Sequence, residues 1–126
     1  MNNKKKYTKD HEWIDLNNGI ATVGITDHAQ DQLGDIVYVE LPDLEKKLTT
    51  GGIAAIVESV KSASDVFSPL SGKVVEVNMT LNDKPELVNE NPENMGWFLK
   101  MTVDDTEDLE NMMDFEEYQH FIKSSE

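Results

Sequence analysis

The chemistry available to this chain concentrates at one lysine and a few carboxylates. In the stretch from Glu58 to Gly72, ESVKSASDVFSPLSG, Lys61 is the only base between Lys47 and Lys73. An amine carried on a turn suits an enzyme that must reach one lysine and attach a prosthetic arm. The same amine used as a Schiff-base nucleophile would need a desolvated apolar pocket to lower its pKa. Strand-like runs on both sides of Val60-Lys61 favour the exposed arrangement, because the central positions of a type I turn accept most residues and need no glycine. An isolated lysine is ordinarily a plain surface residue, so its setting must carry the argument.

The other candidates are weaker. His11 precedes Glu12, which suggests a base with an orienting acid, but neighbouring strand residues face opposite sides and no serine or cysteine nucleophile accompanies them. His11 is therefore expected to pack or hydrogen-bond. His28 falls in a short helical segment and His120 in the last one, so the three histidines lack metal-ligand spacing and no metal is expected. There is no cysteine, which excludes a disulfide scaffold, a thiolate zinc site and a thiol nucleophile. Any sulfur chemistry must be attached to the chain.

Twenty-five acidic residues against eleven basic ones give a formal charge of −14, and every base is a lysine. Nucleic acid is a poor partner for such a surface, since phosphates are repelled and no guanidinium is present to read guanine. No run approaches the roughly 18 apolar residues that span a bilayer, and the basic opening residues have no apolar run behind them. A cytoplasmic protein that binds neither membrane nor nucleic acid is expected.

The elements that would position Lys61 are mostly strands. Asn17-Asn18-Gly19 separates two short apolar runs and reads as a hairpin turn. TDHAQDQLG, from Thr26, reads as a helix of about two turns, capped by Thr26 or Asp27 and stopped by Gly34. From Asp35 to Val103 short strands alternate with turn signals: Val37, Val39 and Leu41 share a face, Ile53–Val57 is a continuous apolar run, and Trp97, Leu99, Met101 and Val103 oppose Phe98, Lys100 and Thr102. Residues 104–117 hold eight acids and no base, yet Leu109, Met112 and Met113 form a helical stripe and Asp114 with Glu117 forms a capping box. Two short helices are expected in 104–123, the second turning Phe115, Tyr118 and Phe121 or Ile122 inward. The reading is a single domain over 1–126, with 1–6 and 124–126 frayed.

YTKDHEW, GIATVGITDHAQDQLGDIVYVELP, VESVKSASDVFSPLSGKVVEVN and PELVNENPENMGWFLKM together resemble the H protein family of the glycine cleavage system, over about residues 7 to 122. The resemblance implies a mainly β barrel-sandwich hybrid of the lipoyl-domain kind, with a short N-terminal hairpin extension and short helices. It implies lipoic acid joined as an amide to Lys61 and a non-catalytic, monomeric carrier. Its partners would be the pyridoxal-phosphate glycine decarboxylase (P protein), the tetrahydrofolate-dependent aminomethyltransferase (T protein), dihydrolipoamide dehydrogenase (L protein) and the lipoate-attaching enzymes. It also implies that Glu12 and Asp65 flank the docked amine. A carboxylate there would keep the amine protonated, and a cleft that excludes water would slow its hydrolytic loss. Glu58 and the 35–40 segment are expected to guide the lipoylating enzyme.

Two positions depart from the family pattern. Gln32 stands where relatives carry a histidine that contacts the arm, so no imidazole role transfers, and Gly51-Gly52 loosens one turn. Biotin carriers resemble the same hairpin but set their lysine between methionines, whereas Val60 and Ser62 flank it here. Lipoyl domains of 2-oxo-acid dehydrogenases lack both the HEW extension and the C-terminal helices. Donation of the lipoyl group to those dehydrogenases is a second role that the sequence leaves open.

Overall fold

Asn18 and Gly19 both adopt positive φ, 52° and 80°, the left-handed pair that a two-residue hairpin requires. They join β2 (Glu12–Asn17) to β3 (Ile20–Ile25). The computed structural model describes residues 5–125. Around this hairpin lies a sheet ordered β1-β2-β3-β9-β8-β5, with β1 (Lys6–Tyr7), β5 (Lys47–Leu48), β8 (Gly72–Val77) and β9 (Leu99–Thr102). A second sheet, ordered β4-β6-β7, consists of β4 (Ile36–Glu40), β6 (Ile53–Ser59) and β7 (Ala63–Phe67). This is the mainly β architecture the sequence implied.

The two sheets close on a core that includes Ile14, Val23, Val57, Leu70, Val74 and Leu99, each fully shielded from water. A separate aromatic cluster of Tyr7, Trp13 and Tyr118 ties the first strand to the last helix. Tyr7 and Tyr118 stack at 4.8 Å between ring centroids, and the Trp13 indole donates to Pro92 O at 3.0 Å.

Strict alternation fails at three places where the strand register shifts. In β4 the shift between Ile36 and Tyr38 turns Ile36 and Val39 inward and leaves Val37 54% exposed, so Val37 does not share the core face of Val39. Comparable shifts lie between Ile53 and Ala55 in β6 and between Val74 and Glu76 in β8. Phe98, just before β9, is fully buried instead of facing away from Leu99; its N–H donates to Val23 O and its carbonyl accepts from Asn78 N–H.

Helix α1 (Asp27–Leu33) follows the expected signals: Thr26 Oγ1 accepts from Ala29 N–H, and Gly34 at φ 84° ends the helix by donating to Gln30 O. Beyond it the expectation of three helices was too low. Among the described residues there are five, because the single turns α2 (Thr80–Asp83) and α3 (Leu87–Glu90) bury only Leu81 and Val88 and are too short to show helical periodicity. The acidic tail folds as α4 (Glu107–Glu110) and α5 (Phe115–Ser125). At its start Asp114 N–H donates to Glu117 and Glu117 N–H donates to Asp114, at 2.9 and 2.8 Å, the reciprocal cap read in the sequence. Tyr118 is buried, whereas Phe115 remains 45% exposed.

The expected fraying of 1–6 and 124–126 lies outside the described residues at 1–4 and 126. Within them Lys6 pairs with Ile14 and the Ser124 hydroxyl donates to His120 O inside α5.

Candidate functional site

Lys61 lies at the tip of the β6–β7 hairpin and is exposed. Ser59 N–H donates to Ser62 O at 2.8 Å, while the Ser59 hydroxyl oxygen accepts from the N–H groups of Lys61 and Ser62 at 3.1 and 3.2 Å. One serine side chain thus does the work of a turn-closing carbonyl. Neither Val60 nor Lys61 has positive φ, so the tip needs no glycine, as the sequence implied.

The tip rests on the loop after α1. Val60 N–H donates to Asp35 O at 3.0 Å, and Lys61 Nζ lies 3.4 Å from Gln32 O. A Cβ on Gly34 would stand 3.1 Å from Lys61 Cε. Gly34 therefore serves twice, ending α1 at positive φ and leaving room for the lysine stem. Sequence reading gave it only the first role. Gln32 was noted for the side chain it lacks, but its backbone carbonyl is what meets the amine.

Beside this loop opens a cleft of about 190 Å³ whose lining includes His11, Glu12, Ile25, Leu33, Asp65 and Val66. Glu12 heads β2 and is 3% exposed. Its Oε1 accepts from the Thr8 hydroxyl at 2.9 Å and its Oε2 from Phe67 N–H at 3.2 Å. Burial raises the Glu12 pKa from 4.5 to about 7, and Asp10 adds to the rise; the Thr8 and Phe67 hydrogen bonds oppose it. Asp65, in β7, is exposed at the rim. The fold brings Glu12 and Asp65 to one cleft, near the carbonyl that meets Lys61. Glu58 is exposed on β6 and pairs across the sheet with Tyr38 of β4, which joins it to the 35–40 segment.

His11 and Glu12 do not face opposite sides. β2 starts at Glu12 and His11 sits before it at φ 69°, so both side chains reach the same cleft. His11 hydrogen-bonds as expected: its Nδ1 is 2.8 Å from the Tyr118 hydroxyl, which is itself 2.6 Å from Thr26 Oγ1. Burial lowers the His11 pKa first and the nearby His28 lowers it further, against an opposing contribution from Asp10. The sequence pattern marks Tyr118 only as a core residue, and no local signal links it to His11. Among the described residues no group of three or more potential ligands is placed to hold a metal, and no helix is long and apolar enough to cross a membrane.

A two-sheet β domain with an exposed lysine on a hairpin beside a carboxylate-bearing cleft has the barrel-sandwich architecture of the lipoyl-domain class. Residues 5–125 match the Glycine cleavage H-protein family, and the chain belongs to that family. It is 53% identical to the glycine cleavage system H protein of Thermotoga maritima, across 93% of this chain and 94% of that one. It is 55% identical to the H protein of Methylocella silvestris, across 94% and 95%. The crystal structure of the H protein from Mycobacterium marinum superposes with a TM-score of 0.88 at 32% identity, covering 98% of this chain and 99% of that one. Members of the family carry lipoate and shuttle lipoyl-bound intermediates between the P, T and L proteins of the glycine cleavage system, and this chain is a component of that system.

Proposed function

We propose that Lys61 is the lipoyl attachment site and that the chain acts as a non-catalytic, monomeric carrier. In this reading it visits the glycine decarboxylase, the aminomethyltransferase and dihydrolipoamide dehydrogenase in turn, after modification by a lipoate-attaching enzyme. The observation that carries it is the exposed Lys61 amine on a hairpin tip seated beside the Glu12 cleft. The residues present fit the group: the amine is open to an acylating enzyme, and Ile25, Ala29, Leu33 and Val66 give the cleft apolar walls. Bacterial relatives such as those of Thermotoga and Methylocella support a cytoplasmic setting.

When attached, the dithiolane supplies the two sulfurs, and with them the transfer and redox chemistry, that a chain without cysteine lacks. Every other task falls to the protein. The short turn gives the arm a fixed origin, which raises the effective concentration of its end near a docked active site. Glu12 is a buried carboxyl poised near neutrality, so an ammonium entering the cleft favours its ionised form. The carboxylate produced then holds the proton on that amine. Asp65 places a second carboxylate at the rim, and the apolar walls keep water away. Glu58 and β4 form the face that the attaching enzyme reads.

Intact mass tests this directly. Parent protein incubated with lipoate, ATP and a lipoate ligase should gain one lipoyl increment, and Lys61→Arg should gain none. A biotin increment on protein from competent cells would overturn lipoate as the group carried. No increment on the folded parent, or one mapped to another lysine, would overturn the assignment.

A further inference from the structure

The loop beneath the Lys61 arm is bracketed by a side chain that belongs to neither the hairpin nor the cleft. Asn89, in α3, accepts from Ile36 N–H through Oδ1 at 2.8 Å, and through Nδ2 it donates to Gln30 Oε1 at 2.8 Å and to Gly34 O at 2.9 Å. A primary amide offers two donors and an acceptor, and all are engaged. The three contacts span residues 30–36, on both sides of Gly34. That segment meets the hairpin through Asp35 O on Val60 N–H, Gln32 O near Lys61 Nζ and the open face of Gly34 against Lys61 Cε.

Ile36 is buried at the start of β4 and pairs with Ser59, and Leu33 packs partly on the core, but the turn between them has few anchors of its own. α1 buries no side chain completely, Asp35 is exposed, and Gly34 gives the backbone freedom where the helix ends. α3 is better anchored, because Val88 is fully buried in the core. Asn89 therefore ties the turn between α1 and β4 to a fixed element.

We propose that Asn89 is a positioning residue for the lysine arm: its bracket around Gln30, Gly34 and Ile36 holds the seat on which the Lys61 hairpin rests. The proposal depends on Lys61 being the attachment site, and it assigns Asn89 no contact with the attached group. Loss of the bracket frees the 34–36 backbone, withdraws the Asp35 acceptor from Val60 and lets the arm's origin wander relative to the cleft. A ligase that must find a fixed lysine then binds its target less well.

The test is hydrogen exchange on the unmodified protein, read by NMR at the Val60 and Ile36 amides, for the parent and Asn89→Ala. Asn78→Ala serves as control, since Asn78 also loses two amide donations, to Met95 O and Trp97 O, but outside this loop. Asn89→Asp keeps an oxygen for Ile36 N–H but replaces the donating nitrogen with a carboxylate oxygen facing Gln30 Oε1 and Gly34 O, so it breaks both donations and supports the comparison should the alanine variant fold poorly. In both Asn89 variants Val60 should exchange on the order of tenfold faster than in the control compared at equal global stability, about the worth of one to two hydrogen bonds. The KM of a lipoate ligase for the unmodified protein should rise several-fold with kcat unchanged. Val60 exchange equal to the control, or a ligase KM that does not move, overturns the role of Asn89. Lipoylation of the parent at another residue would overturn the Lys61 reading instead, while Val60 exchange would still report whether the bracket exists.

Discussion

Glu12 should make the protein less stable as the pH rises from about 4.5 to 7, and replacing its carboxyl with an amide should cancel that loss. The group titrates near 4.5 when unfolded and near 7 when folded. Below both values it is protonated in either state and adds no pH dependence. Between them the unfolded chain ionises while the folded one keeps its proton, so the unfolded state binds fewer protons and stability falls. Above about 7 both forms are ionised and the loss levels off at on the order of 3 kcal/mol. In Glu12→Gln the amide oxygen can still accept from Phe67 N–H, and the introduced nitrogen can donate to the Thr8 hydroxyl oxygen, which already accepts from the backbone N–H of residue 12. The variant should match the parent near pH 4 and exceed it by up to ~3 kcal/mol at pH 8. Urea unfolding of both proteins at unit steps of pH measures the difference. Parallel stability curves across that range would refute the claim that burial, the largest cause of the raised pKa, strains this carboxyl.

Three further substitutions probe the elements around the cleft. Gly34→Ala should cost ~1–3 kcal/mol in urea unfolding, because the residue sits at φ 84° and ψ −161°, a region held almost only by glycine, and it should also slow lipoylation by crowding Lys61 Cε; unchanged values for both would remove its double role. Tyr118→Phe deletes the hydroxyl shared by His11 and Thr26 and should lower stability by ~1–3 kcal/mol, with a moved His11 ring resonance in NMR. An unaltered unfolding midpoint would contradict that bridge. Asp114→Ala opens the reciprocal cap of α5 and should lose ~1 kcal/mol, detected as earlier melting of helical circular dichroism.

Local signals in the sequence were reliable where the structure uses them locally. The Asn18-Gly19 turn, the Thr26 cap, the Gly34 stop and the Asp114–Glu117 box each depend on residues within a few positions, and each formed as read. The Lys61 turn belongs with them, its closure falling to the neighbouring Ser59. What the pattern hid is set by tertiary demands. A strand bulge has no composition of its own, so Val37 and Ile36 exchanged their expected faces. Single-turn helices such as α2 and α3 are defined by what they pack against. The meeting of Glu12 with Asp65 came from resemblance, since 53 positions separate them and no periodicity joins strands of different sheets. The left-handed turn at His11, which brings it to the same cleft as Glu12, was invisible to strand alternation.

Tyr7 and Met113 exchange backbone hydrogen bonds at 2.8 and 3.0 Å, and His11 meets Tyr118 across 107 residues of sequence. These closures have consequences for a chain still being made. The strands that present Lys61 lie within residues 36–67 and pair with near neighbours, so they can form early during synthesis. The His11 side of the cleft closes only once α5 has been made, and its closure bears the entropy of a loop of 107 residues. Newly made protein can therefore present the β6–β7 hairpin before the His11 side of the neighbouring cleft is closed.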